Sequence, residues 1–335
     1  MTLTRLTGTV RNNVARNLNP YLLRLFCNGI DPTQTLVIAG SNRSGTTWVQ
    51  EMVASLPNTV SLFEPCHVDV ITEAREAGIH KLIYREPEAH WPEGQRYLQR
   101  VLSGQCWHRY TAFLNSPLDC FRPRRLVVKF IHANGILNWM THHFPIPSPL
   151  VIVRHPGAVV SSVLNLKWNT EELSRTFQQS ELVQRSNELR EYIQSLTTPL
   201  EQLTARWCLE NAVLFNRANQ SAMQRVTYES LLLGGPDAMA KIFQNWNLPV
   251  PASLEERFHK DSKLSASNRS YADIHARLSR WKKDRGQSEV RRMLEIVHDF
   301  GLDFYSEDPV PDEDRFRNCQ AHGLLSSDGR LRVAA

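Results

Sequence analysis

Three cations at the ends of apolar runs are the residues of this chain best placed to do chemistry: Arg43, Lys129 and Arg154. Arg43 lies inside Gly40-Ser41-Asn42-Arg43-Ser44-Gly45-Thr46-Thr47-Trp48, a loop between the apolar run Thr35 to Ala39 and a helical pattern. A strand that turns through a glycine loop into a helix N-terminus points N–H groups outward under a positive helix dipole, which suits phosphate. The glycine spacing is that of the nucleotide triphosphatases, but those need a lysine directly after the second glycine; here that position is Thr46. They also need an acid at a neighbouring strand end to hold Mg²⁺, whereas the neighbouring runs lead into Lys129 and Arg154. Such a set repels a metal and neutralises phosphate directly. A plain glycine turn with surface arginines is the bland alternative. Against it, all three cations sit at C-terminal strand ends, where open α/β sheets bind ligands.

The elements that must hold these residues are legible as short apolar runs. Thr35 to Ala39 reads as a strand, Thr46 to Leu56 as a helix closed by Pro57, and 58 to 63 as a second strand. Arg125 to Phe130 and Leu150 to Val153 are two further strands, with a helix from Ile136 to Phe144 between them. Continuous apolar runs alternating with helices predict an α/β fold whose parallel sheet is covered on both faces. Helical text fills 168 to 222, including Leu200 to Ala222. A strand over Arg225 to Tyr228 and helices over Pro236 to Trp246 and Ser288 to Phe300 follow. The expected organisation is an N-terminal helical arm (1–34), one P-loop-like α/β domain (35–305) and a loose polar tail (306–335).

Composition narrows the class. The chain has 335 residues, 41% hydrophobic and 22% charged, as in an ordinary protein with a core. A net charge of +5 suits an anion in a local pocket better than a nucleic-acid track. Six scattered cysteines form neither zinc spacing nor a disulfide framework, so a reducing, cytoplasmic setting is expected. No apolar run approaches the about 20 residues that span a bilayer. Arg5, Arg11, Arg16 and Arg24 accompany Leu18, Tyr21, Leu22, Leu25 and Phe26 at helical spacing. Residues 1–30 are then either a helix packed on the domain or an amphipathic arm on an anionic membrane surface.

The loop Arg43 to Trp48 resembles the phosphosulfate loop of the sulfotransferases that use PAPS as donor. Val151 to Ser162 resembles their second motif, in which an arginine and a serine eight positions on hold the 3′-phosphate; Arg154 and Ser162 have that spacing. Arg225-Val226-Thr227-Tyr228-Glu229-Ser230-Leu231 is similar to the family's strand and following helix. Leu278-Ser279-Arg280-Trp281-Lys282-Lys283 is similar to its late Trp-Lys segment. Arg43 and the segment Leu62-Phe63-Glu64-Pro65 look like the carbohydrate and tyrosylprotein branch, which carries arginine where the cytosolic branch carries lysine. The resemblance implies a sulfotransferase fold and metal-independent transfer of a sulfuryl group from PAPS, leaving PAP.

It also implies roles. Arg43, Ser44, Gly45, Thr46 and Thr47 would hold the phosphosulfate, with Arg154, Ser162 and Tyr228 on the nucleotide. Trp48 would lie near adenine or simply fill the core. Arg280 and Lys282 would be contacts of a flap spanning Ser265 to Lys283. Arg43 and Lys129 would neutralise the leaving oxygen; Lys129 alone of the two can also give a proton. For the base there are two candidates. Glu64 lies 21 residues after Arg43, where burial beside Phe63 and Pro65 would tune it, and His132 closely follows Lys129. The walls at 66–124 and 165–200, with His67, mix aromatic and charged residues, which suits a small-molecule or carbohydrate acceptor without selecting one. A nucleotide kinase or triphosphatase and a non-catalytic PAP-binding protein are the rival functions.

Overall fold

Five short strands, β1 (Thr35–Ala39), β2 (Thr59–Phe63), β3 (Arg125–Phe130), β4 (Leu150–Val153) and β5 (Gln224–Thr227), form one parallel sheet. Their spatial order is β2-β3-β1-β4-β5. The structure, a computed structural model, describes residues 18–27, 29–116, 123–166, 172–215, 223–260 and 274–321. From β1 the chain steps out to β2, returns to β3 beside β1, and then crosses to β4 on the other side. The winding reverses at β1, so its C-terminal end opens the crevice in which such sheets bind ligands.

Along the chain the helices that build the site are α1 (Thr46–Val53), α2 (Pro92–Leu102), α3 (Leu137–His143), α4 (Pro156–Asn165) and α5 (Pro199–Ala212). They are followed by α6 (Tyr228–Leu233), α7 (Gly235–Asn245), α8 (Gln287–Asp299) and α9 (Glu313–Asn318). Alternate strand residues feed two cores. Val37, Ala39, Val128, Phe130, Val151 and Val153 pack under α2, α3, α4, α5 and α8. Leu36, Ile38, Val127, Leu150 and Ile152 pack under α1, α6 and α7. Burial on both faces is why these strands read as unbroken apolar runs rather than as alternating ones.

Helix starts follow local chemistry. Thr198 and Glu201 form a capping box at α5 with Pro199 in the first turn. The Thr227 hydroxyl caps α6 by accepting from the Ser230 N–H. The helix expected through Ala222 ends at Ala212 and tightens into a 3-10 turn at Val213–Phe215, with 216–222 outside the described residues.

The expected loose tail also differs. Its described part carries α9, where Phe316 is buried with its ring 5.5 Å from Phe215 and 5.1 Å from Phe304. The Glu313 carboxylate accepts from the hydroxyls of Thr227 and Ser230. At the other end, residues 18–26 are helical. Leu23 and Cys27 enter the core and Arg24 Nη2 donates to the Trp107 carbonyl, while Leu18, Tyr21 and Leu25 stay exposed. This helix is docked by one face, and 1–17 lie outside the described residues. No helix among the described residues is long and apolar enough to cross a membrane.

Candidate active site

The loop after β1 is held by close backbone approach. A Cβ on Gly40 would lie 2.5 Å from the Ile152 carbonyl of β4, and one on Gly45 would lie 2.5 Å from the Tyr228 ring. Gly45 has φ 88°, a conformation that glycine adopts freely. Arg43 takes a left-handed φ of 70°, and its Nε donates to Ser162 Oγ of α4 at 3.0 Å. Arg154 answers from the end of β4: its Nη1 donates to the Arg43 carbonyl at 2.9 Å and its guanidinium stacks 4.4 Å above the Tyr228 ring. Arg43, Arg154, Ser162 and Tyr228 therefore meet, although 185 residues separate the first from the last. Arg154 Nε and Ser44 Oγ are buried here without hydrogen-bond partners. Orphaned donors beside the open first turn of α1 fit the phosphates of a nucleotide.

On the other side of β1, Lys129 is 2% exposed. Its Nζ donates to Thr47 Oγ1 at 3.0 Å, pairs with the Glu64 carboxylate and lies 4.0 Å over the Phe63 ring. The register explains the pairing, since Phe63 lies beside Lys129 and Glu64 N donates to the Lys129 carbonyl at 2.9 Å. Glu64 turns back toward the sheet through a left-handed φ of 45°. Tyr110 donates its hydroxyl to the other Glu64 oxygen. Burial pushes the Lys129 ammonium down from its ordinary value and the adjacent carboxylate opposes that. Burial first and then Glu64 push the Tyr110 phenol far up, so it stays a donor.

His132, also left-handed at φ 61°, is buried and lines a small cavity with Asn134, Glu210 and Ser41. Its Nδ1 has no hydrogen-bond partner and lies 3.9 Å from Glu210 Oε1. Burial, then Arg206, His67, Lys81 and Lys129, hold the imidazole well below its usual range, hence neutral. The His67 ring stands 5.4 Å from Tyr110 and 6.1 Å from His132. Glu64 and His132 thus occupy the two ends of one row.

Other sequence candidates are placed differently. Trp48 takes its core position, edge-on to Tyr228 and Phe258 with Nε1 donating to the Phe258 carbonyl at 3.3 Å. Arg280 and Lys282 are exposed on the 3-10 turn Arg280–Asp284, and the flap expected over Ser265 to Lys283 falls partly on 261–273, outside the described residues. Between them Trp281 is buried, stacked on His155 with centroids 4.4 Å apart and over Gly157, where a Cβ would meet the indole at 2.5 Å.

Sequence reasoning missed several supports. Arg277 Nη2 donates to the Tyr228 hydroxyl at 2.8 Å and Arg285 Nε to Ser161 Oγ at 3.1 Å. Buried Glu229 accepts from His155 N and from the Tyr305 hydroxyl, each at 3.0 Å, and burial raises its carboxyl to about 7. His155 caps α4 by accepting from Gly157 N at Nδ1 and bonds the Ser306 carbonyl through Nε2. Burial lowers it to about 4. The signals were adjacency: Glu229 follows Tyr228, His155 follows Arg154, and the arginines flank Trp281.

Several solved structures are similar. The sulfotransferase domain of the Synechococcus PCC 7002 olefin synthase aligns at 15% identity over 81% of this chain and 95% of that one, with a TM-score of 0.44. The sulfotransferase domain of the curacin biosynthetic pathway aligns at 16% over 81% and 96%, TM-score 0.45. A sulfotransferase from Alicyclobacillus acidocaldarius aligns at 12% over 79% and 95%, TM-score 0.34. No curated protein matches the chain. The sulfotransferase family's own sequence pattern matches residues 35–252, from the first residue of β1 to beyond α7. That span holds both phosphate-loop arms, Lys129 and Glu64, and the chain belongs to the sulfotransferase family.

Proposed function

We propose that this chain transfers the sulfuryl group of PAPS to a hydroxyl or amine of a small-molecule or carbohydrate acceptor. The observation that carries the proposal is Lys129, whose ammonium is shared between Thr47 of the phosphate loop and the Glu64 carboxylate. In the transfer an acceptor oxygen or nitrogen bonds to sulfur as the bond from sulfur to the bridging phosphate oxygen breaks. That oxygen keeps the electron pair in PAP, and the acceptor proton passes to a base. Ser44, Gly45, Thr46, Thr47 and Arg43 hold the phosphosulfate end, while Arg154, Ser162 and Tyr228 hold the nucleotide. Lys129 faces the leaving oxygen and neutralises its charge, and no metal is needed.

Glu64 is the base. Its carboxylate is quenched while Lys129 pairs with it; an anionic donor draws the ammonium toward the loop and releases the carboxylate for the acceptor proton. A second assignment rests on a separate observation: His132 lines the cavity with an unpartnered nitrogen. Glu64→Gln and His132→Ala, assayed with labelled PAPS and by PAP calorimetry, decide it. Glu64→Gln is expected to bind PAP and not turn over. Normal turnover in Glu64→Gln with a dead His132→Ala moves the base to His132. Among the described residues Cys66, Cys106, Cys208 and Cys319 are free thiols, which suits the cytoplasmic setting we propose.

A further inference from the structure

The strand β2 ends the sheet, and along its outer edge the chain lays a strap, residues 107–115, that carries Tyr110 to Glu64. The Phe63 N–H donates to the Thr111 carbonyl at 2.8 Å. Asn115 brackets Ser61, its Oδ1 accepting from the Ser61 N–H and its Nδ2 donating to the Ser61 carbonyl, both at 2.7 Å. An edge strand presents backbone groups that must find partners, and here the strap supplies them. Within the strap His108 N donates to Thr111 Oγ1 at 2.8 Å and Ala112 N to the His108 carbonyl at 3.0 Å. Tyr110 rides on that turn, edge-on to Phe63 with ring centroids 5.4 Å apart.

The strap is fastened from outside by the N-terminal helix over 18–26. Asn19 Nδ2 donates to the Asn115 carbonyl at 2.6 Å, and Arg24 Nη2 donates to the Trp107 carbonyl at 2.8 Å. Asn19 is 1% exposed and Leu23 is fully buried, so this face of the helix is anchored. The two bonds grip the strap at its two ends, on either side of Tyr110.

Glu64 needs a hold from that side. Its left-handed backbone is unusual for a glutamate, so its neighbours must fix where the carboxylate lies. Lys129 holds Oε1 and the Tyr110 hydroxyl holds Oε2. Burial and the Glu64 charge keep the phenol protonated, so Tyr110 remains the donor. When Lys129 turns to the leaving oxygen, Oε1 is released and Oε2 stays bonded.

Resting on the sulfuryl-transfer reading, we infer that Tyr110 is a positioning residue that fixes Glu64 Oε2 and leaves Oε1 to receive the acceptor proton, and that the N-terminal helix keeps Tyr110 there. In that step the acceptor oxygen bonds to sulfur and its proton moves to Oε1. The bridging bond from sulfur to oxygen breaks, and its electron pair stays on PAP.

A hydrogen bond donated to a carboxylate favours the charged form, so its loss makes Glu64 harder to ionise. The full chain with carboxyl-labelled glutamate and bound PAP is titrated by NMR, and Glu64→Gln identifies the Glu64 signal by its disappearance. In Tyr110→Phe the Glu64 midpoint is expected to rise by about one pH unit, with PAP affinity within about twofold of the unaltered protein. Arg24→Met is expected to move the midpoint the same way by a smaller amount. Tyr21→Ser, on the exposed face of the same helix, is expected to leave it in place. Should Arg24→Met fail to fold, Asn19→Ser repeats the measurement at the other fastening. PAP binding with a midpoint that Tyr110→Phe leaves unmoved or lowers overturns the role of Tyr110 alone. A midpoint that the helix variants leave unmoved, or that Tyr21→Ser moves equally, overturns the role of the helix. Absence of PAP binding to the unaltered protein removes the sulfuryl-transfer reading itself.

Discussion

Arg43 Nε donates to Ser162 Oγ across 3.0 Å, tying the loop after β1 to the helix after β4. With Arg154 bonded to the Arg43 carbonyl, the loop after β1 and the end of β4 are tied together as the two arms of the proposed phosphate site. Donor binding then meets a prearranged surface and loses less ordering entropy.

Removing the serine should therefore weaken the site by about one hydrogen bond. Ser162→Ala is expected to raise the PAP dissociation constant about fivefold to tenfold, near 1 kcal/mol. Arg43→Ala removes a charge as well and is expected to cost more than about a hundredfold. Calorimetry checks both, and a Ser162→Ala protein with unaltered affinity would show that the serine plays no part.

In the proposed reading fixed cations neutralise the phosphates, so PAP affinity is expected to be the same in EDTA as in Mg²⁺. A strict Mg²⁺ requirement for binding would sink the metal-free reading.

Lys129 and Glu64 form a pair that is almost fully buried. Taking away one partner strands the other, at about 3–5 kcal/mol. Lys129→Met alone should lower stability by that order, while Lys129→Met with Glu64→Gln should recover most of it. Urea unfolding of the three proteins measures this, and additive losses would show that the two side chains are not coupled.

Glu229 and His155 pull stability in opposite directions with pH. Burial raises the Glu229 carboxyl to about 7, so the fold holds a proton that the unfolded chain has released. Its contribution is complete below the ordinary carboxylate range and is lost as pH rises to about 7. His155 is held neutral down to about 4. Its contribution is complete above the ordinary imidazole range and is lost as pH falls toward 4. Each is worth about 3 kcal/mol at full effect. His132, also held neutral, acts in the same sense as His155. Glu229→Gln should therefore make stability climb more steeply between about pH 4.5 and pH 6.5 than it does in the unaltered protein. Unfolding midpoints across that window check it; a flatter profile in the variant contradicts the assignment.

The parallel sheet was legible because strands buried on both faces leave unbroken apolar runs, and the loop cations because they stand at the ends of those runs. The spacing of Arg154 and Ser162 came from the resemblance, while the Arg43 to Ser162 hydrogen bond across the loop did not. The Lys129–Glu64 contact depends on the register of β2 against β3, which no local pattern records. The left-handed turns at Glu64 and His132 are unusual for their residue types and leave no mark in composition. Tyr110 came from a mixed stretch with no period. The stack of Trp281 on His155 joins residues 126 apart, so both looked like ordinary members of their own motifs. α9 was hidden because only Phe316 and Cys319 of its polar text are buried.

The N-terminus of α4 leans on Trp281, Tyr305 and Ser306, and the start of α6 on Glu313. A ribosome makes β4 and Arg154 well before any of these. While the residues after 280 are still in the exit tunnel, the nascent chain has its glycine loop and sheet but not the supports that seat the start of α4. The proposed donor site is thus completed only once residues 281 to 313 have left the tunnel, and ribosome-arrested chains that expose residues up to 280 should not be retained on immobilised PAP.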